Sequence, residues 1–273
     1  MNIFQRLGNG WHLAMQSFSV IAHNKKLIAF PLISTIILGI VLASFAGGIF
    51  TALGGELAKV ENLSDTQRYL LLFLFYLISY EIILFFNTAL IHCSFMVFNG
   101  EEPTLKAGLA FSCKKLWTIF IWGVISAIVG VILRIIEDKN EKVAAIIAGI
   151  LGMLWSVLTF FVLPVMVYEN QGVFSAIKRS SALLKDTWGE RVGANFAFGL
   201  IGILIFVVIG IPVALLFGSL NILAAAVVVG AVALLVSAVT SAAETVFKAA
   251  AYQYAIGNPI EEIPADTLRG SFT

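Results

Sequence analysis

Charged residues are scarce in this sequence. Lysine and arginine number 17 and aspartate and glutamate 16, so only 12% of the 273 residues are charged, and the formal net charge is +1. A soluble domain carries charge on about a quarter of its residues. The low charge content therefore argues against a soluble domain, and the balance of signs gives no global field that would attract nucleic acid.

Cysteine and catalytic motifs are scarce as well. The two cysteines, Cys93 and Cys113, form no CxxC pair, which excludes a disulfide-stapled scaffold and predicts free thiols. The sequence contains no HExxH, GxSxG or P-loop motif and no acidic cation loop. We therefore expect a protein that is not an enzyme and that uses no cofactor and no metal.

Apolar residues, by contrast, make up 60% of the chain, more than a soluble protein of this size could bury. Six apolar runs are long enough to cross a bilayer as helices, which takes about 20 residues. These runs are 27–50, 69–98, 116–136, 143–168, 192–217 and 222–256. The sequence predicts an all-α, polytopic membrane protein with six transmembrane helices in a single membrane-embedded domain, residues 1–273.

Lysine and arginine are distributed unevenly over the tails and loops around these runs. Twelve of the 17 fall on the side that carries both termini, and five fall on the other side. Because loops rich in positive charge stay in the cytoplasm, we expect both termini there. No cleavable signal peptide is evident, so the first run should act as an uncleaved anchor in a bacterial inner membrane.

Three amphipathic stretches, one near the N-terminus and two at 104–115 and 173–188, each precede a pair of runs. Such helices lie in the membrane interface, with aromatic rings among acyl chains and cations at anionic headgroups. The predicted interfacial anchors are Trp11, Phe18, Lys178, Arg179 and Trp188. We expect membrane lipids as partners and no nucleic acid. The pattern indicates a three-fold hairpin repeat, although aromatic ends and basic loops are typical of any helical membrane protein.

Polar side chains occur inside two of the runs. Glu81, near the middle of the second run, shares a helical face with Thr88 and His92. Two interpretations are open: this stripe relays protons or cations, or Glu81 is protonated and hydrogen-bonded to a neighbouring helix. In the sixth run, Glu244 and Lys248 have the spacing of an ion pair, expected at the cytoplasmic interface as a self-paired helix end or as a gate.

Proline and small residues predict features of individual runs. Pro164 removes a helical hydrogen bond and should kink the fourth run, as Pro212 should kink the fifth. The spacing of Gly39, Ala43 and Gly47 is typical of close backbone approach between membrane helices. It favours packing within the core over a homodimer face.

Several short motifs, together with the acidic residue Glu169, follow a pattern seen in one group of membrane proteins. The motifs are Phe30-Pro31-Leu32, Leu163-Pro164-Val165, Ser180-Ser181-Ala182-Leu183-Leu184 and Trp188-Gly189. They resemble an uncharacterised bacterial six-helix family, a domain of unknown function, distantly similar to membrane domains labelled glycerophosphodiester phosphodiesterase. The resemblance implies no assigned reaction. The enzymatic label does not transfer, because it implies a separate soluble barrel that these residues do not contain.

Two functional hypotheses follow. In the first, a non-catalytic inner-membrane protein acts through lipid or protein contacts at the cytoplasmic face, with a membrane-protein partner. In the second, a small transporter or channel works through the stripe of Glu81, Thr88 and His92, and a cavity reaches Glu81. An intramembrane enzyme ranks third, because no nucleophile and base can be placed together.

Overall fold

The computed structural model describes residues 15–52, 54–55, 63–138, 142–186, 202–209, 211–212 and 222–258. Within these ranges all regular structure is helical, and no strand occurs. Helix α1 covers 15–23 and α9 covers 202–209 in the described part of the chain. The other helices are a 3-10 turn at Lys25–Ile28, α2 Ala29–Ala52, α3 Asp65–Phe98, α4 Leu105–Lys114, α5 Leu116–Glu137, α6 Lys142–Leu158, α7 Val162–Tyr168, α8 Val173–Asp186 and α10 Ile222–Ala255.

Five helical segments are long and apolar enough to cross a membrane, which indicates a multi-pass membrane protein. They are Lys25–Ala52, Asp65–Phe98, Leu116–Glu137, Val143–Tyr168 and Val227–Ala255. These segments coincide with five of the six predicted runs. The remaining run, 192–217, falls largely outside the described residues, although 202–209 and 211–212 within it are helical.

Helix α3 forms the centre of the bundle and contacts α2, α4, α5, α7 and α10. A capping box fixes its start, since the Ser64 hydroxyl accepts from the Gln67 backbone N–H and the Gln67 side chain accepts from the Ser64 N–H at 3.0 Å. Its end is fixed by Asn99 and by Gly100, whose φ of 75° suits glycine. The central helix is therefore delimited by local sequence signals at both ends.

The fourth predicted run is interrupted rather than continuous, because α6 ends at Leu158 and α7 begins at Val162. Pro164 lies in the first turn of α7, where a missing N–H is tolerated. The predicted distortion near Pro164 is thus present, and it takes the form of a hydrogen-bonded turn over residues 159–161 between α6 and α7.

The short helices α4 and α8 are packed into one end of the bundle, which we call the α4–α8 end. A Cβ built on Gly108 of α4 would lie 2.7 Å from Phe30 Cζ and 2.9 Å from Cys93 Sγ, so the backbone of α4 lies directly on α2 and α3. Helix α8 buries one face on the bundle through Val173, Ala176, Ser180 and Leu183. Part of the amphipathic pattern of these helices therefore serves packing within the protein.

The small residues of α2 do not pack as expected. No described atom lies within 4 Å of a Cβ built on Gly39 or Gly47, and Ala43 is exposed. The described helices therefore do not pack on this stripe, and its packing against the rest of the chain stays a prediction. On α6, a Cβ on Gly152 would meet Leu133 Cδ1 at 3.5 Å, which is ordinary contact between two helices.

Candidate functional site

A cavity of about 340 Å³ lies beside the break between α6 and α7, and α3, α5 and α10 complete its wall. We call it the break cavity. Its aromatic lining consists of Tyr80, Trp122, Trp155 and Phe160. Its polar, uncharged lining consists of Asn87, Ser126, Ser156, Thr159 and Thr245. The charged lining consists of Glu244 and Lys248. A space of this size, with apolar walls and a few polar groups, suits a small molecule.

Ser180 of α8 stabilises the helix break next to this cavity. Its buried hydroxyl donates to the Leu158 carbonyl at 2.7 Å and accepts from the Phe161 N–H at 3.1 Å. One side chain therefore bonds to both a donor and an acceptor at the interruption. Irregular backbone in a membrane-spanning segment is tolerated where it is buried in protein or lines a cavity, and here a side chain pairs with it and a cavity lies beside it.

Glu244 and Lys248 form an ion pair in the cavity wall. Lys248 Nζ lies 2.7 Å from Glu244 Oε1, and the side chains of Lys248 and Glu244 are 29% and 36% exposed, respectively. The ammonium group also lies 5.6 Å from the centre of the Phe160 ring. Helix α10 continues for seven residues to Ala255, or about 10 Å. The spacing predicted this ion pair, and it is present, beside the break and about two turns before the end of α10. Its place at the cytoplasmic interface stays a prediction.

The predicted stripe of Glu81, Thr88 and His92 does not line this cavity. The Glu81 carboxyl group faces α5, where a Cβ on Gly123 would lie 2.7 Å from its Cδ and closer still to Oε1. Among the described residues, Glu81 Oε1 is buried and has no hydrogen-bond partner. No hydrogen bond from this oxygen to a neighbouring described helix is therefore present.

The other two residues of the stripe lie in separate surroundings. The buried Thr88 hydroxyl donates to the Leu84 carbonyl of its own helix at 2.7 Å. The His92 ring stacks on Phe111 of α4, with ring centres 4.1 Å apart. The structure thus brings none of the three into a shared polar path, and the cavity lies on the adjacent face of α3, with Tyr80 and Asn87.

The predicted interfacial anchors occupy different environments. Phe18 is half-buried and packs against the hydrophobic core, whereas Lys178 is exposed on α8. Arg179 Nε lies 2.9 Å from Glu169 Oε1 in an ion pair. Trp11 and Trp188 lie outside the described residues. The placement of these anchors at a lipid surface stays a prediction.

Glu169, which sequence reasoning noted without a role, is the centre of a polar cluster at the α4–α8 end. It accepts hydrogen bonds from Arg179 Nε at 2.9 Å, from the Tyr252 hydroxyl at 2.8 Å and from Gln171 Nε2 at 2.7 Å. We call these four residues the Glu169 cluster. It ties the end of α7 to α8 and α10. The sequence signal for this cluster was the acidic residue that follows Leu163-Pro164-Val165 in the pattern of the family that the sequence resembles.

The cavity residues that sequence reasoning missed are hydroxyl and amide side chains within apolar runs. Asn87, Ser126 and Thr159 each occur singly, and nothing in the neighbouring sequence distinguishes them. Across the described ranges, no group of three or more His, Cys, Asp or Glu residues could hold a metal ion.

Fold and site together define the class: an α-helical multi-pass membrane protein with a polar cavity at a discontinuous helix. The chain belongs to a family of unknown function (DUF6159), whose model matches residues 66–259. That region runs from α3 to the end of α10 and includes every residue of the break cavity. No curated protein and no solved structure gives a significant match. The expected membership of an uncharacterised family is confirmed, while the likeness to phosphodiesterase membrane domains receives no support.

Proposed function

We propose that this protein transports a small solute across the membrane and binds it in the break cavity. The observation that carries the proposal is the Glu244–Lys248 ion pair, which lines a cavity at an interrupted membrane helix. Ionisable residues inside membrane segments characteristically mark substrate or ion pathways. In many transporters the substrate site is formed where a helix is discontinuous. This is the second of the two functional hypotheses, with its site moved from the Glu81 stripe to the break cavity.

The ion pair favours a solute that carries both a positive and a negative group. A solute with a single charge would engage Glu244 or Lys248 and leave the other uncompensated at considerable cost. A zwitterion replaces both partners at once, its cation on Glu244 and its anion on Lys248. The rings of Trp122 and Trp155, stacked with centres 5.6 Å apart, then cover the body of the solute.

Uptake into proteoliposomes tests this proposal. The probes are three radiolabelled zwitterions (alanine, proline and glycine betaine), with acetate and tetramethylammonium as singly charged controls. We expect uptake of at least one zwitterion, and we expect that zwitterion to stabilise the purified protein by about 2.7 kcal/mol at 100 times its Kd.

The variant with both Glu244→Gln and Lys248→Gln should lose uptake and stabilisation, because it keeps the side-chain shapes without the charges. Lys178→Gln, a position on α8 away from the break cavity, is the matched control and should keep both. Unchanged uptake in the double variant, or neither uptake nor stabilisation with any zwitterion, would contradict the proposal.

A second candidate function is contact with anionic lipid, as in the first functional hypothesis. Phe174, 76% exposed, lies one helical turn before Lys178 on the outer face of α8. An aromatic ring beside a cation suits a headgroup region. Native mass spectrometry should then show retained phosphatidylglycerol, lost in a Phe174→Ala, Lys178→Gln variant and kept in Glu244→Gln. Equal retention in all three proteins would argue against it.

We further propose the topology from which the transport model starts. Region 192–217 forms the remaining one of the six spans, the fifth in chain order. Each of three repeats consists of a short helix followed by a hairpin. The helix order supports this, since α1 precedes α2 and α3, α4 precedes α5 and α6, and α8 precedes α9 and α10.

We propose the location and partners with this topology. The protein resides in a bacterial inner membrane with both termini in the cytoplasm. It acts without enzymatic activity or cofactor, and it binds membrane lipids and a membrane-protein partner.

A further inference from the structure

Two further cavities continue from the break cavity towards the opposite end of the bundle. The first, about 330 Å³, lies between α3, α5 and α6, and we call it the seam cavity. Tyr80 lines both the break cavity and the seam cavity. The second, about 900 Å³, lies between α2, α3 and α5 near their far ends, and we call it the end cavity. Arg134 lines both the seam cavity and the end cavity.

The register of two helices explains why these cavities follow one another. On α3, Tyr76, Tyr80 and Asn87 follow at intervals of four and seven residues, and on α5, Ser126 and Arg134 lie eight apart. Both spacings keep side chains on one face of a helix. The same faces of α3 and α5 therefore line the space from the break cavity to the end cavity.

The space is narrow where Tyr80 meets α5. A Cβ built on Gly130 would lie 3.5 Å from the Tyr80 hydroxyl oxygen and 3.1 Å from Tyr76 Cδ2. The two tyrosine rings lie side by side, with centres 5.9 Å apart. Glycine at 130 thus leaves just enough room for the rings, and the Tyr80 side chain separates the break cavity from the seam cavity.

Paired charges lie on both sides of this narrow point. On the far side of the seam cavity, Arg134 forms ion pairs with Glu137 at 2.9 Å and Asp138 at 3.1 Å, and on the other side of Tyr80 lies the Glu244–Lys248 pair. Arg134 and Glu137 belong to the lining of the seam cavity, and the rest of that lining is tyrosine, glycine, alanine and leucine. A solute with both charges can exchange with the pair at each end.

We propose that the seam between α3, α5 and α6 is the solute path from the break cavity to the far end of the bundle, and that Tyr80 is its constriction. The inference rests on the proposed transport function and adds the route and the residue that limits passage. Opening requires the Tyr80 side chain, whose hydroxyl oxygen is its nearest atom to Gly130, to turn away from that residue. Tyr80 acts sterically, through its ring together with the hydroxyl oxygen that reaches towards Gly130.

Accessibility of an introduced thiol tests the path without knowledge of the natural solute. Ser126→Cys places the thiol in the break cavity, in a Cys113→Ser background that removes the exposed native thiol. The probe is the cationic methanethiosulfonate reagent that carries a trimethylammonium group, added to either side of oriented vesicles. On the proposed path, reagent added from the far end passes Tyr80 before it reaches the introduced thiol.

We expect Tyr80→Ala to raise the modification rate from the far end by about tenfold, as a barrier lower by about 1.4 kcal/mol would. Tyr80→Phe, which keeps the ring, should raise that rate less than Tyr80→Ala does, and Gly130→Ala should lower it. Gly149→Ala is the matched control, because Gly149 lines the same cavity and has no described atom within 4 Å of its Cβ position. An unchanged rate in both Tyr80→Ala and Gly130→Ala would overturn the proposal.

Modification from the α4–α8 end separates this inference from the proposed function. That rate reports access to the break cavity and should be the same in Gly130→Ala and Gly149→Ala, whose substituted positions do not line that cavity, which also shows that these variants are folded. If the α4–α8 end gives access while Tyr80→Ala has no effect from the far end, the path is wrong and the binding site stands. If the introduced thiol is reached from neither side in any variant, both the path and the break cavity as a solute site are wrong.

Discussion

At the scale of single residues, the contact between Glu81 and Gly123 places a carboxyl group in the space that a side chain at 123 would occupy. Gly123→Ala should therefore lower the free energy of unfolding by about 1–3 kcal/mol, the usual cost of overpacking a core. Denaturant titration of the purified protein in detergent measures this. Gly149→Ala is the control, since its Cβ would meet no described atom within 4 Å and should change stability little.

Substitution of Glu81, whose carboxyl group occupies the space beside position 123, tests the cause of this loss of stability. Glu81→Ala in the Gly123→Ala background removes the colliding carboxyl group, so the double variant should recover much of the stability that Gly123→Ala loses. This non-additivity is expected only for residues in direct contact. Additive losses in the double variant, or a Gly123→Ala protein as stable as the Gly149→Ala control, would contradict the described contact.

The same residues show what sequence could and could not predict about the site. Glu81 was recognisable because a carboxyl group stands out in an apolar run, but the structure uses its neighbour Tyr80 to line the cavity. Adjacent residues on a helix point about 100° apart, since one turn takes 3.6 residues. A helix that is apolar all round carries no periodic signal for its buried side. Sequence therefore identified polar residue types but not which of them share a cavity.

At the scale of elements, the break between α6 and α7 depends on a residue from a third helix. Ser180→Ala would leave the Leu158 carbonyl and the Phe161 N–H without their side-chain partner. Unsatisfied buried groups cost about 1–3 kcal/mol, so we expect a loss of this size in thermal unfolding. Ser181→Ala is the matched control, because that hydroxyl donates within its own helix to Ile177, and its removal should cost less than about 0.5 kcal/mol. Equal effects of the two substitutions would contradict the role of Ser180.

The Glu169 cluster gives the second prediction at this scale. Glu169→Ala leaves the hydroxyl of the fully buried Tyr252 without an acceptor and frees Arg179, so it should destabilise the protein by about 1–3 kcal/mol. Glu169→Gln should cost less, because an amide oxygen still accepts from Tyr252. Hydrogen exchange should rise in α8 in the alanine variant. Glu102→Gln, which removes an exposed ion pair with Lys26, is the control and should change little. Exchange in α8 that does not differ among the three variants would contradict the cluster.

Element positions were largely predictable, since five apolar runs became helices within a few residues of the predicted bounds. Proline chemistry predicted the interruption near Pro164 from the chain itself. The cap from Ser180 and the packing of α8 on the bundle were not predictable, because both join residues that are distant in sequence. An amphipathic pattern shows that a helix has an apolar face, and it does not show whether lipid or protein covers that face.

At the scale of the whole molecule, the proposed transport function depends on which end of the bundle faces the cytoplasm. The positive loops predict that it is the α4–α8 end. The native cysteines allow a direct test, because Cys113 on α4 is exposed at that end and Cys93 on α3 is buried. A membrane-impermeant maleimide should label the protein in inside-out vesicles and leave it unlabelled in right-side-out vesicles.

The same pair of cysteines supplies the controls for this measurement. Cys113→Ser should abolish labelling of the folded protein, since a thiol reacts only where reagent and water reach it, and Cys93 should react only after denaturation. Labelling of Cys113 in right-side-out vesicles would place the α4–α8 end outside and reverse the orientation. The solute would then meet the Glu244–Lys248 pair before Tyr80 during import, and the far end with Arg134 would face the cytoplasm.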